Sequence, residues 1–277
     1  MIVFLLRNQI KKSKRIVIKL GTSTILDENG NFNHYLIHSL IKQISDLKRQ
    51  GKEIIIVSSG AIGIGNSILQ MARNEETVLK QCSAAVGQSS LMKSYQTLFG
   101  FENIITAQLL LINNDFLEIQ RRSMLNRLIQ KIIDLGIIGI INENDCISTK
   151  NITFGDNDIL SAHVANLIKA DLLIILSDIN GIYKNMQTKE IIVVITNVDE
   201  NIKSFVDKKS SKFGTGGILS KFIAAEMTSV HGGLTVVANS KAHLVIKDIL
   251  GGKNIGTLFY LGGGNKNARY KKNGKKC

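Results

Sequence analysis

Short apolar runs alternate with longer amphipathic stretches along the chain, and each run ends on a small or polar turn. Arg15 to Leu20 reads as a first strand that stops at Gly21-Thr22-Ser23. Tyr35 to Gln50 carries Leu36, Leu40, Ile44 and Leu47 at helical spacing and halts at Gly51. Glu53 to Val57 reads as a second strand, followed by Ser58-Ser59-Gly60-Ala61 and a helix. The same reading gives helices over Val78 to Phe99, Arg121 to Leu135, Leu160 to Ala170, Leu219 to Ser229 and His243 to Leu250. Strands are expected over Ile104 to Leu111, Ile137 to Ile141, Leu172 to Leu176 and Leu234 to Ala238. Such alternation predicts an α/β fold: a three-layer α/β/α sandwich around a mainly parallel sheet.

In an open parallel sheet, ligands bind beyond the carboxyl ends of the strands. Four strand exits here are small, glycine-bearing or acidic: Lys19-Leu20-Gly21-Thr22-Ser23, Ser58-Ser59-Gly60-Ala61, Asn142-Glu143-Asn144-Asp145 and Ser177-Asp178. All four are expected to open onto one edge.

Composition narrows the class. Of 277 residues 44% are hydrophobic and 21% charged, enough apolar material for a sizeable core. Three cysteines stand far apart with no CxxC pair, which argues against a disulfide scaffold or a cysteine-built zinc site. Ile2 to Leu6 is too short, and wrongly placed before the basic cluster at Lys11 to Arg15, for a secretory signal. No run approaches a membrane span, so the cytoplasm is the default compartment. Lys and Arg outnumber Asp and Glu by 35 to 22, a net charge of +13 that favours anionic partners. Part of that excess lies in the last residues, Lys266 to Lys276, which read as a solvated tail. A nucleic-acid-binding protein is the alternative from another class, but no RRM, KH or helix-turn-helix signature accompanies the charge. Proline is absent, so every turn must be made with Gly, Asn, Asp or Ser.

Several clusters could do chemistry. Gly214 to Lys221 is a glycine-rich turn entering a helix and ending in Lys, which suits a phosphate although GxxxxGK[ST] is not present. Lys19 is a second phosphate-directed cation. Ser59-Gly60-Ala61 offers a hydroxyl and backbone N–H groups at a helix start. Asn142 to Asp145 and Gly155-Asp156-Asn157-Asp158 pack carboxylates and amides tightly; they fail as calcium loops and suit an ammonium group or the orientation of lysines. The five histidines form no metal or catalytic pattern and read as surface or packing residues.

Taken in order, Val17-Ile18-Lys19-Leu20-Gly21-Thr22-Ser23, Val57-Ser58-Ser59-Gly60-Ala61-Ile62, Ala84-Ala85-Val86-Gly87-Gln88, Ile141-Asn142-Glu143-Asn144-Asp145, Gly155-Asp156-Asn157-Asp158, Leu176-Ser177-Asp178 and Gly214-Thr215-Gly216-Gly217 resemble the amino acid kinase family. The resemblance runs from about residue 14 to 261, which makes residues 1–13 an N-terminal extension and 262–277 a basic tail. Within the family the INEND, GDND and GTGG stretches are similar to those of the branch that phosphorylates the γ-carboxylate of L-glutamate; acetylglutamate and aspartate kinases are the alternative. Many members of that branch carry a C-terminal PUA module, and the resemblance here covers the kinase domain alone. It implies ATP as donor, Mg²⁺ held mostly by the nucleotide, a homo-oligomer, and hand-over of glutamyl 5-phosphate to its reductase on the way to proline. It further implies that Lys19 and Lys221 clamp the phosphoryl group and that Asp158 holds their ammonium groups. Ser59, Asp145 and Asn157 would bind glutamate, with Asp145 on the α-ammonium. Lys19, Ser177, Asp178, Thr215, Gly216, Gly217, Ile218, Leu219, Ser220 and Lys221 would bind ATP.

Overall fold

The computed structural model describes residues 2–71, 76–147, 154, 156–185, 188–197 and 217–262. In chain order the elements are α1 (Ile2–Lys11), β1 (Arg15–Leu20), α2 (Thr22–Ile25), α3 (His34–Arg49), β2 (Glu53–Ser58), α4 (Ala61–Ile68) and α5 (Thr77–Phe101). There follow β3 (Thr106–Leu111), α6 (Asn114–Leu117), α7 (Ile119–Asp134), β4 (Ile138–Glu143), α8 (Asn157–Leu167) and β5 (Leu172–Ser177). The remainder comprises β6 (Tyr183–Asn185), β7 (Glu190–Ile191), β8 (Val194–Ile195), α9 (Ile218–Ser229), β9 (Leu234–Asn239), α10 (Val245–Leu250) and β10 (Thr257–Phe259).

Eight strands form one sheet in the order β3-β4-β2-β1-β5-β9-β10-β8, parallel except where β10 meets β9. A β6–β7 hairpin stands beside it. Strands covered on both faces need apolar side chains throughout, mostly Val, Ile and Leu. This explains Ile54-Ile55-Ile56 in β2 and Leu172 to Leu176 in β5, all fully buried. Alternation then sorts the side chains into two cores. Ile16, Ile18, Ile54 and Ile56 pack under α1, α3, α5 and α10, whereas Val17, Ile55, Val57 and Ile175 pack under α7, α8 and α9.

The three-layer α/β/α sandwich with a mainly parallel sheet expected from the pattern is the observed fold. Two differences have physical causes. The pattern gives no element before Arg15, yet α1 is helical and sends Leu6 and Ile10 into the first core. Its Arg7 is 1% exposed and donates to the carbonyls of Val193, Ile255 and Gly256, so a basic residue sits at a buried position and blurs the apolar stripe. Burial pulls its guanidinium down to about 10. Second, α8 begins at Asn157, not at Leu160, because Asp156 caps it by accepting from the Asp158 N–H. Its first turn is polar, so apolar periodicity starts late. Among the described residues no helix is long and apolar enough to cross a membrane.

Candidate active site

β1 lies mid-sheet, with β2 on one side and β5 on the other. The chain leaves β1 towards β2 and leaves β5 towards β9, so the crevice at their carboxyl ends is a topological switch point. Lys19 is the penultimate residue of β1. It follows Val17 on the α8 and α9 face, where its side chain is buried.

Beneath it is the start of α8. Lys19 Nζ lies 2.6 Å from Asp158 Oδ1, and Lys221 Nζ from α9 lies 3.0 Å from Asp158 Oδ2. Ser220 Oγ is 2.9 Å from the same Oδ2 and 2.8 Å from the Gly217 carbonyl, which joins the end of the glycine-rich turn to the carboxylate. Asp158 is fully buried. Burial pushes its carboxyl up, but the ammonium groups of Lys19 and Lys221 outweigh burial and hold it at about 2. The carboxylate is thus ionised at neutral pH and two cations share it. For Asp156, by contrast, burial and then the charge of Asp158 raise the carboxyl.

Asn157, one residue earlier, points to the β2 side. Its Nδ2 is 2.8 Å from the Ser58 carbonyl, 3.0 Å from Ser59 Oγ and 2.9 Å from Asn142 Oδ1. Ser59 precedes Gly60, whose φ of +97° and lack of a Cβ let the chain turn against Ile25 into α4. Asn142 Nδ2 in turn donates to Gln88 Oε1 of α5 at 2.8 Å. Gln88 also lines a small cleft with Ala61, Ala84, Leu110, Glu143, Asn144, Asp145 and Cys146. In that cleft burial, with Glu143 adding to it, raises the Asp145 carboxyl to about 7.

Ser177 ends β5 and is buried; Asp178, just beyond, is exposed, and its carbonyl accepts from Asn239 Nδ2 at 3.4 Å. Of the glycine-rich turn, Gly217 caps α9 and Ile218, Leu219, Ser220 and Lys221 form its first turn. Thr215 and Gly216 lie outside the described residues. Lys19, Lys221, Asp158, Asn157 and Ser59 are therefore joined by direct contacts. Asp145 connects to them through the cleft and Gln88, and Ser177 and Asp178 stand on the opposite flank of β1. Three helix N-termini, those of α4, α8 and α9, converge there through Ser59, Asp158 and Ser220, which favours negatively charged ligands. Two residues of this site were given no role by the sequence: Gln88, quoted there as part of a matching stretch, and Asn239. Asn239 closes β9 at the same sheet edge, so the strand-exit rule applied to one more strand would have found it.

The sequence pattern that defines the amino acid kinase family matches residues 14–239. The chain belongs to the amino acid kinase family. Within it, this family member is 42% identical to the glutamate 5-kinase of Clostridium acetobutylicum over 250 residues, 88% of this chain and 94% of that one. It is also 42% identical to the glutamate 5-kinase of Listeria monocytogenes (strain ATCC BAA-679 / EGD-e) over 92% of this chain and 95% of the relative. The glutamate 5-kinase of Enterococcus faecalis is 40% identical over 93% and 98%. Among solved structures, Giardia carbamate kinase superposes with a TM-score of 0.63 at 19% identity, over 90% of this chain and 99% of that one. That last likeness establishes the shared fold.

Proposed function

We propose that this kinase transfers the γ-phosphoryl group of ATP to the γ-carboxylate of L-glutamate, giving glutamyl 5-phosphate, the acyl phosphate at the head of proline biosynthesis. The observation that carries the reading is the sharing of Asp158 by Lys19 and Lys221, on a chain similar along nearly its whole length to glutamate 5-kinases.

A γ-carboxylate ionises near ~4.3, so at neutral pH the nucleophile needs no base. The task is to bring two anions together and to meet the charge that builds on the transferring group. In this reading Lys19 and Lys221 supply two ammonium groups whose positions are fixed by one ionised carboxylate. Ser220 ties them to the turn that receives the nucleotide. Ser59, Asn157 and Asp145 receive the amino acid on the β2 and β4 side, Ser177, Asp178 and residues 218–221 receive ATP on the β5 side, and Thr215, Gly216 and Gly217 are assigned to ATP by the resemblance. The γ-carboxylate then faces the γ-phosphorus between the two lysines. Mg²⁺ enters the proposal with the nucleotide, held mostly by phosphate oxygens and water. A homo-oligomer acting in the cytoplasm, with the labile product passed to glutamyl phosphate reductase, completes the proposal.

The test is an acceptor panel: ADP release with L-glutamate, N-acetylglutamate, L-aspartate and carbamate, with hydroxylamine present to trap an acyl phosphate. Glutamate alone should support rapid turnover and hydroxamate formation. Preference for N-acetylglutamate or aspartate would transfer the chain to another activity of the same family.

A further inference from the structure

Nothing in the reaction itself requires α5, yet one side chain of that helix is built into the acceptor half of the site. Three primary amides run in series there. Asn157 Nδ2 faces Ser58 O, Ser59 Oγ and Asn142 Oδ1 at 2.8 to 3.0 Å, so its amide nitrogen is fully used and its carbonyl oxygen is turned away from all three. Asn142 Oδ1 accepts from Asn157 and also from the backbone N–H of Glu143 at 2.9 Å, so the Asn142 nitrogen must donate elsewhere. It donates to Gln88 Oε1 at 2.8 Å. Asn142 is 2% exposed and Gln88 7%, which leaves little water to replace either partner.

The series has a direction. Each amide gives its N–H to the carbonyl of the next, and bonds aligned in this way strengthen one another. A primary amide fills almost the same space when turned by half a revolution, so its bonding partners decide which end points where. We infer that Gln88 is a positioning residue for the acceptor site. Through Asn142 it holds the Asn157 amide with its oxygen outward, poised to accept from an N–H donor on the amino acid. The assignment rests on the proposed glutamate-binding role of Asn157. It also accounts for a glutamine placed where a helix facing a hydrophobic core would otherwise carry an apolar side chain: Leu91, Met92 and Tyr95 continue the same buried helix face.

Two variants test it. Gln88→Met keeps the length and removes the acceptor; Gln88→Asn keeps the acceptor but stops one methylene short. Each should raise the glutamate KM about tenfold, the scale of one buried hydrogen bond left unmade. The KM for ATP and kcat should stay within about threefold, because nothing on the lysine side is touched. The decisive reading is the double variant with Asn157→Ala. If Gln88 acts through Asn157, adding Gln88→Met to Asn157→Ala raises the glutamate KM no further. Multiplying effects in that double variant, or equal losses in kcat and in the KM for ATP, overturn the inference. Should thermal melting show Gln88→Met unfolded, Gln88→Asn decides by the same readings. Wild-type protein with no glutamate-dependent turnover removes the proposed function and this inference with it, whereas normal wild-type turnover with multiplying variants removes only the role of Gln88.

Discussion

Lys19 and Lys221 meet on opposite oxygens of one carboxylate, at 2.6 and 3.0 Å from Asp158. One comes from the central strand and the other from a helix late in the chain, and all three side chains are buried. Two ammonium groups cannot lie so close in a dry crevice unless a fixed negative charge separates them. Asp158 therefore serves folding and positioning at once.

Asp158→Asn should be costly to the fold. It leaves two buried cations without their counter-charge, and the loss of one member of such a group costs about 3–5 kcal/mol. Urea unfolding of the variant should show stability lower by that amount, read as a lower midpoint with an unchanged slope. A midpoint equal to wild type would mean that the carboxylate is not what keeps the lysines together.

The two perturbed carboxyls predict opposite pH trends in stability. Asp158 falls from 3.8 to about 2 in the folded protein, so its stabilisation is complete above about pH 4 and is lost as pH drops towards 2. Asp145 rises from 3.8 to about 7, so the native state binds its proton more tightly and its contribution shrinks as pH climbs from 4 to 7. Asp145→Asn should flatten the second trend and leave the first unchanged in pH-dependent urea melts.

The same titration should appear in substrate binding. An ionised Asp145 attracts an α-ammonium and a protonated one does not. The glutamate KM is expected to fall as pH rises through about 7, with kcat nearly flat. Asp145→Asn should abolish that dependence. A KM profile that stays the same in the variant would take Asp145 out of the acceptor site.

Asn157→Ala should raise the glutamate KM by roughly tenfold to a hundredfold while kcat changes much less, since in the proposed function the amide binds the acceptor and not the transferring group. Initial-rate kinetics at saturating ATP separate the two. A variant that loses kcat alone would place Asn157 with the lysines instead.

The sheet and its strand exits were legible because a parallel sheet buried on both faces must be written in apolar runs, and the turns between them in small polar residues. Lys19 was legible at a strand end, Lys221 at the close of a glycine-rich turn and Asp158 in a dense polar cluster, while their joint role was implied only by the resemblance. Other features left no pattern. The start of α8 is hidden because its cap and first turn, Asp156 to Asp158, are polar and look like loop. Helix α1 is hidden because Arg7 takes a buried place. Gln88 stood in a motif, but its use depends on Asn142, 54 residues away, and no local spacing encodes that pairing.

Close packing beneath the site gives a stability test. A Cβ on Gly87 would stand 1.8 Å from the Ala61 carbonyl, whereas one on Gly100 meets nothing within 4 Å. Gly87→Ala should therefore prise α5 from α4 and destabilise by about 1–3 kcal/mol or more. Gly100→Ala, in the same helix, should stabilise by roughly 0.5–1 kcal/mol. Thermal melts of the pair check the sign of each.

Trapping the product by hydroxylamine reads most directly whether the two lysines act on the phosphoryl group. With glutamate and ATP saturating, Lys221→Ala should form hydroxamate at least about a hundredfold more slowly than wild type, with the glutamate KM little changed. A rate within about twofold of wild type would contradict the clamp.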